Sequence, residues 1–185
     1  MGLDHYFNSN INMNSFNRFF GVSSRNKEFE VLRSKSSLLT YNTFKLSYGM
    51  QQYLVNVDDF ESSRLKLLAR TNCLPLNSVL HRMHIHVRSS PLCSYCNNGS
   101  HEDFNHILTG CPLYVIPRNN LLLSIQGLLS DIDIEFDFIG LPLSGKVQFL
   151  LGDAGYGLSP DVGDSVDTLC KTFLSNVFRI RTEMI

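Results

Sequence analysis

A cluster of cysteines and a histidine between residues 91 and 114 constrains the fold of this chain more than any other feature. Cys93 and Cys96 form a C-x2-C pair, and His106 and Cys111 follow as H-x4-C. Three thiols and one imidazole at these spacings are the ligand set of a structural zinc site, in which four protein ligands complete a tetrahedron. Such a site leaves no position for a water molecule. The sequence therefore predicts a zinc knuckle of the CCHC type that holds one structural Zn²⁺ and performs no chemistry with it.

The sequence offers alternatives for the identity of the fourth ligand and for metal binding by the cluster. His101 competes with His106, because C-x2-C-x4-H also begins a retroviral-type knuckle. That pattern needs a cysteine at position 106, where this chain has a histidine, so His106 is favoured. The alternatives to zinc are a group of small buried thiols that binds nothing and a disulfide. Neither of them explains the histidine.

The residues between the ligands predict a turn followed by a short helix. Residues 97–99 (NNG) are polar and conformationally permissive, as the exit from a tight turn requires. Ser100 and Asp103 have the spacing of a capping box, so Ser100 is the predicted N-cap. His106 then falls near the end of the helix, and Gly110 is the predicted stop.

Length and composition favour one soluble domain, or one small domain with extended flanks. The 185 residues are 43% apolar and include 13 Phe, which is enough for a hydrophobic core. The net charge of −1 is unevenly distributed: +1 over residues 1–60, +3 over 61–120 and −5 over 121–185. The basic part surrounds the predicted zinc site. This is a weak electrostatic footprint, below that of a strongly basic nucleic-acid-binding protein.

The predicted fold class is mainly α: a small helical domain around the zinc knuckle, with little or no β structure. We divide the chain into a flexible N-terminal segment (1–24), a helical region (25–130) that contains the knuckle (91–114), and an acidic helical C-terminal extension (131–185). Residues 131–138 (DIDIEFDF) alternate acidic and apolar side chains. That alternation is compatible with a strand that has one wet face or with a loop anchored by its apolar residues.

Apolar residues at helical spacing predict helices over about 26–39 and 41–48, over 60–72 with Asp58 or Asp59 as its cap, and from Asn77 or Ser78 onward. Further helices are predicted over about 113–131, 143–153 and 164–184. In the helix at 60–72, the residues predicted to face inward are Leu65, Leu68 and Ala69, and those predicted to face outward are Arg64, Lys66 and Arg70. The later apolar stripes are Leu121, Leu122, Ile125, Leu128 and Leu129, and then Leu169, Phe173, Val177 and Ile180. Cys73 and Cys170 are expected to be buried or half-buried thiols.

No constellation of catalytic residues stands out, so we do not expect an enzyme. His81, His84 and His86 form H-x2-H-x-H, but no cysteine or carboxylate stands close by in the sequence. Exposed or hydrogen-bonded histidines are therefore favoured over a second metal site. No nucleophile–base pair and no phosphate-binding G-K-[ST] loop is present.

Cysteine content and hydropathy predict an intracellular protein of the nucleus or cytoplasm. Five cysteines without a secretory signal suggest a reducing compartment. No apolar run approaches the roughly 20 residues of a membrane-spanning helix, so no membrane association is expected.

The residues that surround the ligands carry a resemblance to a known family. RLKLLARTNCLPLNSVLHRM precedes the C-x2-C pair, Glu102 and Asp103 lead into H-x4-C, and Pro112, Arg118 and a leucine-rich stretch follow. This arrangement resembles the C-terminal zinc-binding region of reverse transcriptases from LINE-type non-LTR retrotransposons. The resemblance covers about residues 28–129 and is most specific at 91–118.

The resemblance implies a detached tail of such a polyprotein that assists RNA or DNA binding. The polymerase motif, an aromatic residue two positions before Asp-Asp, is missing: Asp58 and Asp59 follow Asn56 and Val57. The implied partners are therefore RNA or DNA, bound weakly, and the upstream reverse transcriptase core. The residues proposed to contact phosphates are Arg64, Lys66, Arg70, Arg82, Arg88 and Arg118, with Tyr95 or Phe104 stacking on a base.

The acidic C-terminal third departs from the expectation of nucleic-acid binding. The alternative function is therefore a zinc-stabilised helical protein–protein interaction module that binds no nucleic acid. Salt dependence separates the two, because contacts with phosphates weaken steeply as salt is added.

Overall fold

The computed structural model describes residues 27, 30, 31, 34, 39–45, 54, 59–85, 90–131, 137–152 and 158–184. The flexible segment predicted over 1–24 lies outside these residues, as do His86, Arg88 and most of the first predicted helix.

The described part of the chain is mostly helical and contains no β-sheet, as the sequence predicts. One isolated antiparallel bridge joins Leu92 and His101. The helices are α1 (Leu39–Phe44), α2 (Phe60–Arg70), α3 (Asn77–Arg82), α4 (Phe104–Thr109), α5 (Val115–Asp131), α6 (Leu143–Leu151) and α7 (Pro160–Glu183), with a 3-10 turn at Pro112–Tyr114. None of the described helices is both long enough and apolar enough to cross a membrane.

Helix α7 is the centre of the packing and contacts both α2 and α5. Its buried face comprises Val162, Val166, Cys170, Lys171, Phe173, Leu174, Val177 and Arg181. Phe173 and Val177 were predicted to lie on this face, whereas Leu169 and Ile180 are only half-buried. The buried face is broader than the predicted stripe and includes other residues. The reason is that α7 packs against two helices, α2 and α5, and buries side chains against both.

Helix α5 has the predicted buried face. Leu121, Ile125 and Leu129 recur every fourth residue and are buried, and Leu122 and Leu128 flank them half-buried. This spacing places the three side chains on one side of the helix. Phe138, beyond the end of α5, is also fully buried, and its ring centroid lies 5.0 Å from that of Phe149 on α6. Residues 132–136 lie outside the described part of the chain, so the strand and loop interpretations of the acidic stretch stay open.

Helix α2 differs from the prediction in which residues it buries. Its N-cap is Asp59, whose side chain accepts a hydrogen bond from the Ser62 amide at 3.2 Å. The outward orientation predicted for Lys66 and Arg70 was wrong, because both side chains are buried.

Helix α7 and the ring of Tyr41 supply the partners that make this burial possible. Asp167 of α7 pairs with Lys66 and, at 2.8 Å, with Lys171. The Arg70 guanidinium lies 5.3 Å from the centroid of the Tyr41 ring. Because Asp167 is about a hundred residues away in sequence, the pattern within α2 could not reveal it.

Candidate metal centre

The stretch that carries the candidate metal ligands begins as two short antiparallel segments joined by a turn. The Cys93 amide donates to the Ser100 carbonyl at 2.8 Å, and the Glu102 amide donates to the Pro91 carbonyl at 2.9 Å. Gly99 closes the turn with φ +69°, a left-handed conformation that glycine adopts without steric cost. The two segments, 91–94 and 100–103, are called the first and second arm below.

Helix α4 follows the second arm and carries His106. Its N-cap is Asp103, whose carboxylate accepts a hydrogen bond from the His106 amide at 2.8 Å. The prediction of Ser100 as N-cap was wrong, because the Ser100 carbonyl pairs with Cys93 and keeps the backbone extended. Gly110 is the C-cap, as predicted, and its amide donates to the His106 carbonyl at 2.9 Å.

The four predicted ligands converge on one point. Their ligand atoms, one from each of Cys93, Cys96, His106 and Cys111, all lie within 4.8 Å of one another. The two sulfurs of Cys93 and Cys111 are 3.8 Å apart, and the Cys96 sulfur is 3.3 Å from Nε2 of His106. A tetrahedral zinc with Zn–S bonds of about 2.3 Å and Zn–N bonds of about 2.0 Å has S–S edges of ~3.8 Å and S–N edges of ~3.5 Å. The residues therefore fit one zinc ion, with His106 binding through Nε2.

Two competing interpretations of the cluster, His101 as the fourth ligand and a disulfide, do not match this geometry. His101 is exposed and lies in the bridge with Leu92, outside the group of converging ligand atoms. The cysteines, including Cys73 and Cys170, are not joined in disulfides. Within the residues that the structure describes, no second group of this kind brings His81 and His84 together with other ligands.

Burial controls the protonation of the ligands. Cys111 is fully buried, and Cys93 and His106 are nearly so. Burial raises the pKa of the Cys93 thiol and raises that of Cys111 to about 12. Burial also lowers the pKa of His106, against the attraction of Asp103 and Glu102. Without a metal ion Cys93, Cys111 and His106 are therefore uncharged at neutral pH, and a divalent cation can displace the protons of these two thiols.

A buried polar network next to the knuckle was not predicted from the sequence. Glu102 of the second arm is completely buried, and Arg181 of α7 is 7% exposed. The Arg181 guanidinium donates to both carboxylate oxygens, Nε to Oε1 at 3.1 Å and Nη2 to Oε2 at 3.1 Å. The backbone amide of Asn77 donates to Oε2 at 2.8 Å. The Glu102–Asp103 pair is part of the family resemblance, but no sequence signal pointed to a partner near the end of α7.

The residues predicted to contact nucleic acid are dispersed between surface and core. Arg64 is exposed and lies 3.6 Å from Glu61, and Arg82 is exposed and donates to the Asn72 carbonyl. Arg118 is half-buried, with Nη1 3.3 Å from the Ile107 carbonyl. Lys66 and Arg70 are buried, so a phosphate on the surface cannot reach them without a rearrangement of α2. Arg88 lies outside the described residues.

The two aromatic residues proposed to stack on bases are only partly accessible. Tyr95 and Phe104 are half-buried and pack against the hydrophobic core. The Arg181 guanidinium lies 6.0 Å from the centroid of the Tyr95 ring. A base could therefore contact at most the outer part of either ring.

Comparisons with protein-family models, with curated proteins and with solved structures gave no significant match. The resemblance to reverse transcriptases thus rests only on the residues that carry it in the sequence, and membership of that family stays a prediction.

Proposed function

We propose that the protein is a non-catalytic zinc-binding module that assists the binding of RNA or DNA, as its resemblance to LINE-type reverse transcriptase tails implies. The observation that carries the proposal is the convergence of Cys93, Cys96, His106 and Cys111 within 4.8 Å. Four protein ligands occupy all the positions of a tetrahedral zinc. The metal therefore stabilises the fold and has no open position for a substrate.

The position of the ligands in the core supports a structural role for zinc. Cys93 and Cys111 belong to the same cluster of buried side chains as Tyr114 and Leu121. Bound zinc joins the arms of the knuckle to α4 and to the turn before α5.

The zinc content of the protein tests whether it is a zinc-binding module. We expect about one zinc per chain by elemental analysis of the purified protein, and loss of that zinc in His106→Ala and Cys111→Ser. His101→Ala is the matched control, because this histidine is close in sequence but outside the ligand cluster; it should keep the metal. A folded wild-type protein that contains no zinc as purified and takes up none when zinc is added would refute the proposal.

Surface charge supports the nucleic-acid half of the proposal. Residues 61–120 carry six Lys and Arg against three Asp and Glu. Lys66 and Arg70 are buried, and the exposed cations among those that the structure describes are Arg64 and Arg82. Contacts between such side chains and phosphates are strongly salt-dependent, because binding releases condensed counterions.

Fluorescence anisotropy with labelled single-stranded RNA and DNA tests this half. We expect weak binding at low salt and a loss of affinity in the variant Arg64→Gln/Arg82→Gln. The log–log salt slope should fall by about 0.7 for each lost phosphate contact with a single strand. The control is Arg179→Gln, which removes an exposed cation from α7 in the acidic part of the chain. Equal affinity of both variants, or no binding at low salt, would contradict the proposal.

Two exposed apolar residues favour a second candidate, a protein–protein interaction module. Ile116 and Leu123 of α5 are 71% and 67% exposed and seven residues apart, which places them on one side of the helix. The partner would be the reverse transcriptase core to which such a tail is attached. Binding to that core that resists salt and is lost in Ile116→Gln/Leu123→Gln would support this candidate.

A further inference from the structure

Both arms of the knuckle are held by side chains from outside the metal-binding motif. The first arm carries Cys93, and the second arm leads through Asp103 into α4 and His106. A knuckle whose arms were restrained only by their own turn would have to order them when it binds zinc. Here the restraint comes from two more distant residues, Asn77 and Arg181.

Asn77 holds the first arm. Its side-chain Nδ2 donates to the Leu92 carbonyl at 2.7 Å and to the Ser94 hydroxyl at 3.0 Å. These two acceptors flank Cys93 in the chain. Asn77 is itself 1% exposed, so the donor of these two hydrogen bonds is shielded from water.

Arg181 holds the second arm. Its guanidinium makes the bidentate contact with Glu102 described above, and its Nη2 also donates to Oδ1 of Asn77 at 3.3 Å. The hydroxyl of Ser78 donates to the Glu102 carbonyl at 2.8 Å and adds a further restraint. Bidentate contacts between arginine and carboxylate fix orientation as well as distance. The last turn of α7 is therefore connected to both arms at once.

We propose that Arg181 is a positioning residue for zinc: with Glu102 and Asn77 it holds the two arms at the separation at which the four ligands converge. The zinc affinity of residues 93–111 thus depends on the C-terminal helix, although that helix supplies no ligand. By thermodynamic linkage, bound zinc also stabilises the docking of the end of α7. Residues that orient metal ligands from outside the coordination sphere commonly contribute 10–100-fold to metal affinity.

Zinc affinity, measured by competition with a chromophoric chelator, tests the inference. We expect Arg181→Met to bind zinc about 10–100-fold more weakly than wild type. Arg181→Lys keeps the charge but loses the bidentate geometry, so its zinc affinity should lie between those of wild type and Arg181→Met. The matched control is Arg179→Met, two residues earlier on the same helix, whose side chain is 68% exposed. It should bind zinc as wild type does.

A role in fold stability alone predicts a different result. Metal-free Arg181→Met would then melt at a lower temperature than metal-free wild type. Its zinc affinity would equal that of wild type under conditions in which circular dichroism shows a folded chain. That outcome would overturn the inference. If metal-free Arg181→Met does not fold, Asn77→Ala and Arg181→Lys provide the same comparison.

A double variant tests whether the two residues act together. If Arg181 and Glu102 position the arm as a unit, Glu102→Gln/Arg181→Met should lose no more zinc affinity than the more damaging single variant. Additive losses would contradict this. The inference rests on the proposed zinc binding, and the two fail differently: a wild type without zinc refutes the site, whereas unaltered zinc affinity in the Arg181 variants refutes only the role of Arg181.

Discussion

Gly110 lies against the imidazole of His106, and this contact makes it a sensitive position. A Cβ at residue 110 would lie 3.3 Å from Nδ1 of His106, while the backbone itself, with φ −120°, accepts any residue. The ring must therefore shift by a few tenths of an ångström. We expect Gly110→Ala to weaken zinc binding about tenfold, because Nε2 leaves its tetrahedral position. Chelator competition measures the change.

Gly127 is the matched control for Gly110. A Cβ there meets no atom within 4 Å, and the residue lies within α5. Gly127→Ala should leave zinc affinity unchanged and raise the free energy of unfolding by roughly 0.5–1 kcal/mol, since alanine favours the helix. Equal zinc affinities for the two variants would show that the His106 ring is not confined by residue 110.

The protonation of the ligands predicts a steep pH dependence of zinc binding. Burial raises the pKa of Cys93 and raises that of Cys111 to about 12, so both thiols are protonated in the metal-free protein at pH 7. The pKa of His106 is lowered, so this ligand is neutral and releases no proton. Zinc uptake should therefore release at least about two protons, and the logarithm of the apparent affinity should rise with a slope of at least about two per pH unit around neutrality.

The stability of the metal-free fold depends on pH in the opposite direction: it falls as the pH rises. Because the pKa of Cys111 is raised from 9.0 to about 12, the stability it contributes is complete below pH 9 and is lost as the pH rises from 9 to 12. Zinc titrations with a pH indicator in weak buffer check the first effect, and denaturant unfolding of the metal-free protein checks the second. A zinc affinity that does not change between pH 6.5 and 7.5 would contradict ligation by thiolates.

Helices α2 and α4 offer a comparison of two similar caps. Asp103 caps α4 and Asp59 caps α2, each through a carboxylate that accepts the backbone amide three residues on. Replacement of either by alanine should cost about 1 kcal/mol of stability. Only Asp103→Ala should also weaken zinc binding, because α4 has six residues and carries His106. If Asp59→Ala weakens zinc binding as much, the effect comes from global stability and not from the orientation of α4.

The helices show which parts of the fold a sequence can reveal. Leu121, Ile125 and Leu129 follow one apolar period, so α5 and its buried face were predictable from local spacing. The buried face of α2 includes Ser62, Lys66 and Arg70, whose polar groups contact partners elsewhere in the chain. Local periodicity carries no information about such partners.

The ligands and the residues that support them also differ in whether local sequence can reveal them. Cys93, Cys96, His106 and Cys111 stand close together in the chain, and the coordination chemistry of zinc restricts their spacing. Glu102 and Arg181 are 79 residues apart, and each alone resembles an ordinary surface charge. The metal site could therefore be predicted from the sequence, but the network that supports it could not.

From the packing of α7 we expect the described helices and the metal site to unfold as one cooperative unit. Helix α7 contacts α2 and α5, and Arg181 connects it to the second arm of the knuckle. Anything that binds only the folded state stabilises all elements that unfold together. At a free zinc concentration 1,000 times the dissociation constant, the gain is about 4 kcal/mol. For a chain of this length that gain should raise the melting temperature by roughly 8–16 °C.

Hydrogen exchange locates this stabilisation within the molecule. If the knuckle and α7 unfold together, zinc should slow exchange in α7 (Pro160–Glu183) as well as in α4 (Phe104–Thr109). Thermal unfolding followed by far-UV circular dichroism should then show one transition, with zinc and without it. Protection confined to residues 91–114, or a second transition that zinc does not shift, would mean that α7 folds independently of the metal site. In that case residues 131–185 would form the separate extension that the charge distribution suggests, and the contact between Arg181 and Glu102 would contribute little to their coupling.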